Sequence, residues 1–290
     1  MHIKVGLRSS KLSIAQAQSV LNLIKETDSS ITFEIIEIKT KGDKLQNTSL
    51  SKIGDKGIFV SEIENQLLNH DIDMAIHSMK DMPSFIPEEL TLTNTPSRED
   101  VRDVLILPKG IKELKEKPII GTGSFRRALQ IKKLIPDCTC KDIRGNIDTR
   151  LKKLDQGQYD AIILAAAGLN RLGLSERIYR YFEIDEMIPA CCQGALAIEC
   201  RKEDVDLQAL LFNISNHTDS ICTKAEREYL SSINGDCHMP IGAYCQKNEK
   251  EYTFYALYGK DTSDYKEIIL TGKNPNKLAR LAAKEMLEEK

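Results

Sequence analysis

The turn around Cys237 is the part of this sequence best suited to presenting a nucleophile. Residues 234–242 run Asn-Gly-Asp-Cys-His-Met-Pro-Ile-Gly. A thiol becomes a strong nucleophile once it loses its proton, and the pKa of a free cysteine is about 8.5. Asp236 would raise the pKa of this thiol, and His238 would offset that effect if it paired with the sulfur. On its own, the turn also fits an ordinary cysteine with no chemical role.

Arginines recur where predicted strands end and helices begin. They are Arg8, Arg126, Arg127, Arg144, Arg150 and Arg171. Ligands of open α/β sheets bind at the carboxyl ends of strands, and helix N-termini attract anions. A guanidinium stays charged and holds a carboxylate through two parallel hydrogen bonds. Combined with a presented thiol, the pattern predicts a covalently held, highly anionic ligand, whereas solvated surface arginines are the alternative.

Asp81 is the carboxylate best placed for acid–base chemistry. It follows a short predicted strand within the segment His77-Ser78-Met79-Lys80-Asp81-Met82-Pro83. A carboxylate there can act as a general acid or stabilise a developing cation. An aspartate in a turn before proline is also common without any catalytic role.

Length and composition indicate a globular protein of two or three domains. The chain has 290 residues, of which 41% are hydrophobic and 29% charged, and its net charge is only -2. That balance gives no overall basic field for nucleic acid. We expect no membrane span and no metal site, because no apolar run is long enough and the cysteines lack zinc-ligand spacing. Without a secretion signal or a regular cysteine framework, we expect a reducing, cytoplasmic compartment.

The hydrophobic pattern alternates strands and helices over the first two hundred residues. Strands are predicted at 2–7, 32–40, 73–79, 104–107, 119–120, 140–143, 159–165 and 195–200, and helices at 10–25, 58–69, 125–135, 146–154 and 166–172. Residues 41–56 are predicted to form a long mobile loop. A helical stretch at 204–231 precedes a small α+β unit with strands at 241–246, 252–258 and 266–271 and a helix at 276–288. This pattern predicts α/β sheets with helices on both faces.

Taken together, the motifs resemble those of hydroxymethylbilane synthase, also called porphobilinogen deaminase, over nearly the whole chain. In order, the matching segments are 7–12 (LRSSKL), 56–60 (KGIFV), 75–83 (AIHSMKDMP), 121–127 (GTGSFRR), 143–150 (IRGNIDTR), 161–173 (AIILAAAGLNRLG), 193–195 (QGA) and the turn at Cys237. Each motif alone is modest support, but eight in the same order make coincidence very unlikely.

The resemblance implies a transferase of tetrapyrrole and heme biosynthesis. Members of that family carry a dipyrromethane cofactor, one per chain, joined by a thioether to the cysteine that corresponds to Cys237. They add four porphobilinogen units to this primer, with loss of ammonia, and then hydrolyse off hydroxymethylbilane. The acetate and propionate groups of each pyrrole would account for the many arginines.

The resemblance also assigns roles to individual residues. Asp81 would be the catalytic carboxylate. Cofactor carboxylates would be held by Lys80, Ser78, Thr122, Ser124, Arg126, Arg127 and Arg150. Substrate and the growing chain would be held by Arg8, Ser10, Gln16, Phe59, Arg144 and Arg171. Gln193 would be a lesser contact, and Lys56 would lie at the edge of the mobile loop.

The implied fold has two lobes like those of periplasmic binding proteins, with a cleft between them, and a small C-terminal α+β domain. Domain 1 would comprise residues 1–95 and 189–203, domain 2 residues 99–186, and domain 3, with Cys237, residues 207–290. The expected protein is a monomer that binds porphobilinogen, contacts neither nucleic acid nor membrane, and hands its product to uroporphyrinogen-III synthase.

This sequence departs from the family pattern at three positions. Asp236 and Cys192 each stand where a glycine is commoner, and Gly123 stands where a serine is commoner. Two alternatives share the two-lobed fold. A solute-binding protein would explain the arginines but not Cys237, and a ligand-sensing domain of a transcription regulator would need a DNA-binding module that the sequence does not contain.

Overall fold

The computed structural model describes residues 1–40, 60–235, 239–260 and 265–288. These residues form two compact units: Met1–Glu99 with Ala195–Ile221, and Asp100–Gly194 with Cys222–Lys290. The predicted loop at 41–56 and the predicted site residues Phe59 and Cys237 lie outside the described residues. Among the described helices, none is both long and apolar enough to cross a membrane. The predicted three-domain division stays a prediction.

The first unit is built on a mixed sheet. Its strands are β1 (His2–Arg8), β2 (Thr32–Ile38), β3 (Met74–Ser78), β4 (Leu90–Leu92) and β10 (Leu196–Arg201), and its helices are α1 (Lys11–Thr27), α2 (Ser61–Leu68) and α6 (Val205–Asn213). The strand order is β2-β1-β3-β10-β4. Strands β1, β2 and β3 are parallel, and β10 runs antiparallel to both of its neighbours.

Both faces of this sheet are covered, which explains why its central strands are nearly continuous hydrophobic runs. On one face, Val5 and Ile76 pack with Val20 and Ile24 of α1. On the other face, Ala75 packs with Ile63 of α2. Each large apolar side chain buried in this way stabilises the fold by roughly 2 kcal/mol. The predicted α/β architecture is therefore confirmed for this unit.

The second unit repeats the same plan. Its first part contains β5 (Asp103–Ile106), β6 (Ile119–Gly121), α3 (Phe125–Leu134), β7 (Thr139–Lys141), α4 (Ile147–Asp155), β8 (Ala161–Ala165), α5 (Ala166–Arg171) and β9 (Arg180–Tyr181). The strand order is β7-β6-β8-β5-β9, with β6 parallel to β7 and β8, and β5 antiparallel to its neighbours. Apolar clusters cover both faces of this sheet as well.

The C-terminal part of this unit is a small α+β layer, as predicted. Helix α7 (His217–Ser232), which belongs to this unit from Cys222 onward, precedes the antiparallel strands β11 (Ile241–Lys247), β12 (Tyr252–Tyr258) and β13 (Lys266–Gly272). Helix α8 (Pro275–Leu287) buries Ala279, Ala282 and Met286 and packs against β12 and β13.

The prediction of one helical stretch at 204–231 was wrong in one respect, because the structure has two helices there. Helix α6 ends at Asn213 and α7 begins at His217. Between them, Asn216 Oδ1 accepts a hydrogen bond from the Asp219 N–H (3.0 Å), and the Asn216 N–H donates to the Thr95 carbonyl oxygen (2.8 Å). Asparagine at this position caps a new helix and so interrupts the old one.

Candidate active site

Asp81 lies on a short 3-10 turn that follows the central strand β3. The turn covers Met79–Asp81, and its first N–H donates to the Ala195 carbonyl oxygen (3.0 Å). Met79 and Met82 are buried on either side, whereas Asp81 is exposed. The buried methionines therefore anchor the turn and leave the carboxylate accessible to a ligand.

The other predicted site residues of the first unit lie at the same edge of the sheet. Strands β1 and β3 are parallel neighbours, so their carboxyl ends, with Arg8 and Ser78, lie on the same edge. Gln16 of α1 is buried, and its Nε2 donates to Ser78 Oγ (2.8 Å). Ser10 Oγ caps α1 by accepting a hydrogen bond from the Ser13 N–H (3.1 Å). The structure therefore brings Arg8, Ser10, Gln16, Ser78, Lys80 and Asp81 to one edge.

In the second unit, the turn between β6 and α3 presents hydroxyl and backbone donors at a helix N-terminus. Ser124 caps α3, and its own N–H donates to Thr122 Oγ1 (3.2 Å). A Cβ atom at Gly123 would lie 2.8 Å from Asp142 Oδ1 and 3.3 Å from the Ile143 carbonyl oxygen. Glycine therefore permits this close approach, and the turn has the geometry that suits an anion.

Arg126 and Arg127, the first arginines of α3, are buried around a single carboxylate. Arg126 Nη1 donates to Asp103 Oδ2 (2.7 Å) and to the Ile188 carbonyl oxygen (2.7 Å). Arg127 Nη2 donates to Asp103 Oδ1 (2.7 Å), as does its Nε (3.0 Å). Gln193 Nε2 also donates to Asp103 Oδ1 (2.9 Å). These contacts define the Asp103 cluster: Asp103, Arg126, Arg127 and Gln193.

The Asp103 cluster carries more positive than negative charge. Two guanidinium groups face one carboxylate, so two positive charges less one negative charge leave one in excess. Burial alone would raise the pKa of Asp103, but Arg126 and Arg127 outweigh burial and hold it well below its usual range. Burial lowers the pKa of Arg126, and Arg127 adds to that effect, while Asp103 opposes it. An anionic group beside the two arginines would relieve the excess charge.

The other predicted site arginines of the second unit each donate to a nearby oxygen. Arg144 Nε donates to Asp142 Oδ2 (3.1 Å), and Arg150 Nε donates to the Gly145 carbonyl oxygen (2.7 Å). Arg171 Nη2 donates to the Gly194 carbonyl oxygen (2.7 Å). Asp103 was not predicted from the sequence, although its neighbour Gln193 was named as a lesser contact.

Cys192 shows why glycine is commoner at its position. Its φ is +61°, in the left-handed region that glycine adopts most easily. The Cys192 N–H donates to Glu226 Oε2 (2.5 Å), and the side chain is 2% exposed. The cysteine side chain at this position is therefore enclosed by protein.

Comparison with known proteins gives full-length matches. A family model described as "Porphobilinogen deaminase, dipyromethane cofactor binding domain" matches residues 3–209, and one described as "Porphobilinogen deaminase, C-terminal domain" matches residues 220–288. A porphobilinogen deaminase of Clostridioides difficile is 43% identical, covering 100% of this chain and 98% of that protein. One from Staphylococcus epidermidis is 48% identical, covering 94% and 91%.

Among solved structures, a double mutant of the Bordetella pertussis BvgS VFT2 domain is similar with a TM-score of 0.43 and 16% identity. The match covers 73% of this chain and 86% of that domain.

Proposed function

Because this chain belongs to the porphobilinogen deaminase family, we propose that it is the transferase that condenses four porphobilinogen molecules into hydroxymethylbilane. Each condensation releases ammonia, and the finished chain is hydrolysed off a covalent dipyrromethane primer. The observation that carries the proposal is the Asp103 cluster, whose excess positive charge lies at the turn where the family motif predicts carboxylate binding.

The residues present fit a dipyrromethane cofactor. Its acetate and propionate groups need cations and hydroxyl donors, and both are found at the start of α3, in Arg126, Arg127, Thr122 and Ser124. We assign Arg150, Lys80 and Ser78 to the same task and Cys237 to the thioether. When bound, the cofactor supplies the fixed pyrrole end to which new units are added. The contacts to the acetate and propionate groups would hold that pyrrole end in a fixed position. They would also compensate the buried positive charge of Arg126 and Arg127.

Asp81 is assigned the catalytic role. Loss of ammonia from porphobilinogen leaves a cation on the substrate that is conjugated with its pyrrole ring. An exposed carboxylate on a rigid turn can accept a hydrogen bond from the pyrrole N–H and stabilise that cation as it forms. It can also take up the proton that the attacking pyrrole carbon loses, and return it to a leaving amine in the next cycle. The anchoring by Met79 and Met82 supports this role.

Binding of incoming substrate is assigned to Arg144 and Arg171. Both carry a permanently charged guanidinium that can hold a carboxylate, and each is oriented by a hydrogen bond to a nearby oxygen. Arg8, Ser10 and Gln16 would serve at the edge of the first sheet, and Phe59 would stack against a pyrrole.

The test combines mass spectrometry with Asp81→Asn. We expect the purified wild type to carry a mass excess of two deaminated porphobilinogen units on the peptide containing Cys237, and to gain further units when porphobilinogen is added. We expect Asp81→Asn to slow turnover by about a hundredfold or more while its melting temperature stays unchanged, because the side chain is exposed. The matched control is Asp71→Asn, an exposed aspartate in the same unit.

Near-normal turnover of Asp81→Asn would remove Asp81 from the mechanism. A wild type that stays unmodified after incubation with porphobilinogen would refute the proposed reaction.

The wider setting of the enzyme is also part of this proposal. We assign three domains with the boundaries expected above; the separate C-terminal family match from residue 220 and the β11-β12-β13 layer support the third. The seven cysteines that the structure describes are thiols rather than disulfides, which supports a reducing, cytoplasmic location. We assign a monomer that passes its product to uroporphyrinogen-III synthase.

A further inference from the structure

A buried pair of chargeable side chains immediately precedes the catalytic turn in the first unit. His77 lies on β3, four residues before Asp81, and Glu199 lies on the adjacent strand β10. His77 Nε2 is 3.3 Å from Glu199 Oε2, and the two side chains are 5% and 0% exposed. The proposed mechanism assigns no task to either residue.

The pair joins β3 and β10 across their shared ladder. In the antiparallel register, Ala197 faces His77 and Glu199 faces Ala75, so the contact between the two side chains runs diagonally from one strand to the other. His77 directly precedes Ser78, the last residue of β3, and the Met79 N–H then donates to the Ala195 carbonyl oxygen (3.0 Å). The His77–Glu199 contact therefore links the two strands just before the catalytic turn leaves the sheet.

The two groups are buried polar partners. Among the described residues, His77 Nε2 and both carboxylate oxygens of Glu199 make no hydrogen bond. A buried polar group with no hydrogen bond is costly unless another polar group lies beside it. At 3.3 Å the His77 ring and the Glu199 carboxylate are such neighbours, so loss of either side chain leaves the other buried without this partner.

A third titratable group, Glu64 of α2, faces the pair. Its Oε1 is buried without a hydrogen bond, and burial together with the charge of Glu199 raises the pKa of Glu64 to about 7. Arg201 of β10 also lies on this face, two residues after Glu199, and its Nη2 pairs with Asp204 Oδ2 (2.8 Å) and Asp73 Oδ1 (3.3 Å). The Nη1 atom of Arg201 donates to the Leu67 and Ile72 carbonyl oxygens (2.8 and 2.7 Å) and not to Glu199.

We propose that His77 and Glu199 are positioning residues for the condensation: their contact holds the end of β3 so that Ser78, Lys80 and Asp81 keep the orientation that turnover requires. Neither residue contacts substrate in this account. The proposal rests on the catalytic role assigned to Asp81 above. Small displacements of a catalytic group lower the rate more than they lower binding, so the pair should affect kcat rather than KM.

The experiment compares His77→Gln, Glu199→Gln and the double variant, each loaded with cofactor and verified by intact mass. We expect each single substitution to lower kcat about tenfold to a hundredfold and to leave KM within about twofold, as measured on the folded, loaded fraction. In the double variant, two neutral amides can hydrogen-bond without a buried charge. We expect it to recover thermal stability and part of the lost kcat.

The chain offers a matched control in the first unit. His70 and Glu203 form a pair of the same residue types at 3.8 Å, but their side chains are 63% and 70% exposed. His70→Gln and Glu203→Gln should leave kcat, KM and the melting temperature unchanged.

One result would overturn the proposal: single variants of His77 and Glu199 whose folded fractions have wild-type kcat and KM. Any loss of activity would then equal the loss of folded protein, and the pair would be purely structural. Failure of the proposed reaction is distinguishable, because then the wild type itself would consume no porphobilinogen.

Discussion

At the scale of single residues, Asp103 determines how the two consecutive arginines of α3 are presented. Its two carboxylate oxygens are divided between them, one facing Arg126 Nη1 and the other facing Arg127 Nε and Nη2. A buried arginine is rarely tolerated without such a partner. Asp103 therefore allows two cations to be placed beside the proposed cofactor-binding turn, with one positive charge in excess.

We predict that Asp103→Asn destabilises the protein by about 3–5 kcal/mol, because it leaves two buried guanidinium groups without a counterion. The measurement is urea unfolding, with the cofactor-loaded fraction determined by intact mass, and we expect that fraction to fall as well. Asp100→Asn is the control, because it removes the same charge from a partly exposed ion pair with Arg102. It should lower the free energy of unfolding by about 1 kcal/mol or less. Equal losses for the two variants would contradict the prediction.

The arginines could be predicted from the sequence, but Asp103 could not. The arginines lie in recognisable turns between strands and helices. Asp103 lies at the start of a short apolar strand, and the side chains it binds are 23, 24 and 90 residues away. Pairings over such distances depend on the complete fold, and a local pattern does not encode them.

At the scale of elements, helix starts hold much of the candidate site. Ser10 caps α1, Ser124 caps α3 and Asn146 caps α4. Each follows the carboxyl end of a strand, so the free N–H groups of the first helical turn lie at the binding edge of the sheet. Ser124 therefore has two assigned tasks, as a helix cap and as a hydroxyl ligand for cofactor carboxylates.

We predict that substitutions of Ser124 separate these two tasks. Ser124→Asp keeps a good helix cap but brings a negative charge to the carboxylate site. It should keep wild-type stability and lose most of its cofactor loading, as measured by thermal unfolding and intact mass. Ser124→Ala removes the cap and should lower the free energy of unfolding by about 1 kcal/mol. Its loss of cofactor loading should be smaller than that of Ser124→Asp. Full loading of Ser124→Asp would show that no carboxylate approaches this turn.

The sequence predicted most elements, and the errors have simple causes. Strands such as β1 and helices such as α1 are long enough for their hydrophobic period to be evident. Strands β4 and β9 have three and two residues, which is too short for any period, and they exist because a neighbouring strand offers hydrogen bonds. The break between α6 and α7 was missed because Asn216 also fits a polar helix face.

At the scale of the whole molecule, the chain is slightly acidic, yet its candidate site is basic. The net charge is -2, so the positive charge of the Asp103 cluster is a local arrangement. Each sheet contains one strand that runs antiparallel to both of its neighbours, β10 in the first unit and β5 in the second. Two buried acids, Glu199 and Asp103, lie on these strands. Burial of an acidic side chain can connect the stability of a fold to protonation.

Glu64 makes this connection measurable near neutral pH. Its pKa is raised from 4.5 to about 7 by burial and by Glu199. Between these values the folded chain binds a proton that the unfolded chain has released, so the free energy of unfolding falls as pH rises through that window. Above pH 7 both states have lost the proton, and the penalty is constant.

We therefore predict that Glu64→Gln is more stable than the wild type at pH 8 and nearly equal to it at pH 5, because glutamine never acquires the buried charge. At pH 8 the free energy of unfolding of Glu64→Gln should exceed that of the wild type by about 1–2 kcal/mol. This is less than the full pKa shift would give, because Glu64 is partly exposed. Urea unfolding at the two pH values measures it, with the exposed Glu26→Gln as control. A gain of the same size at both pH values would mean that the substitution acts through packing, and that Glu64 carries no charge that depends on pH in this range.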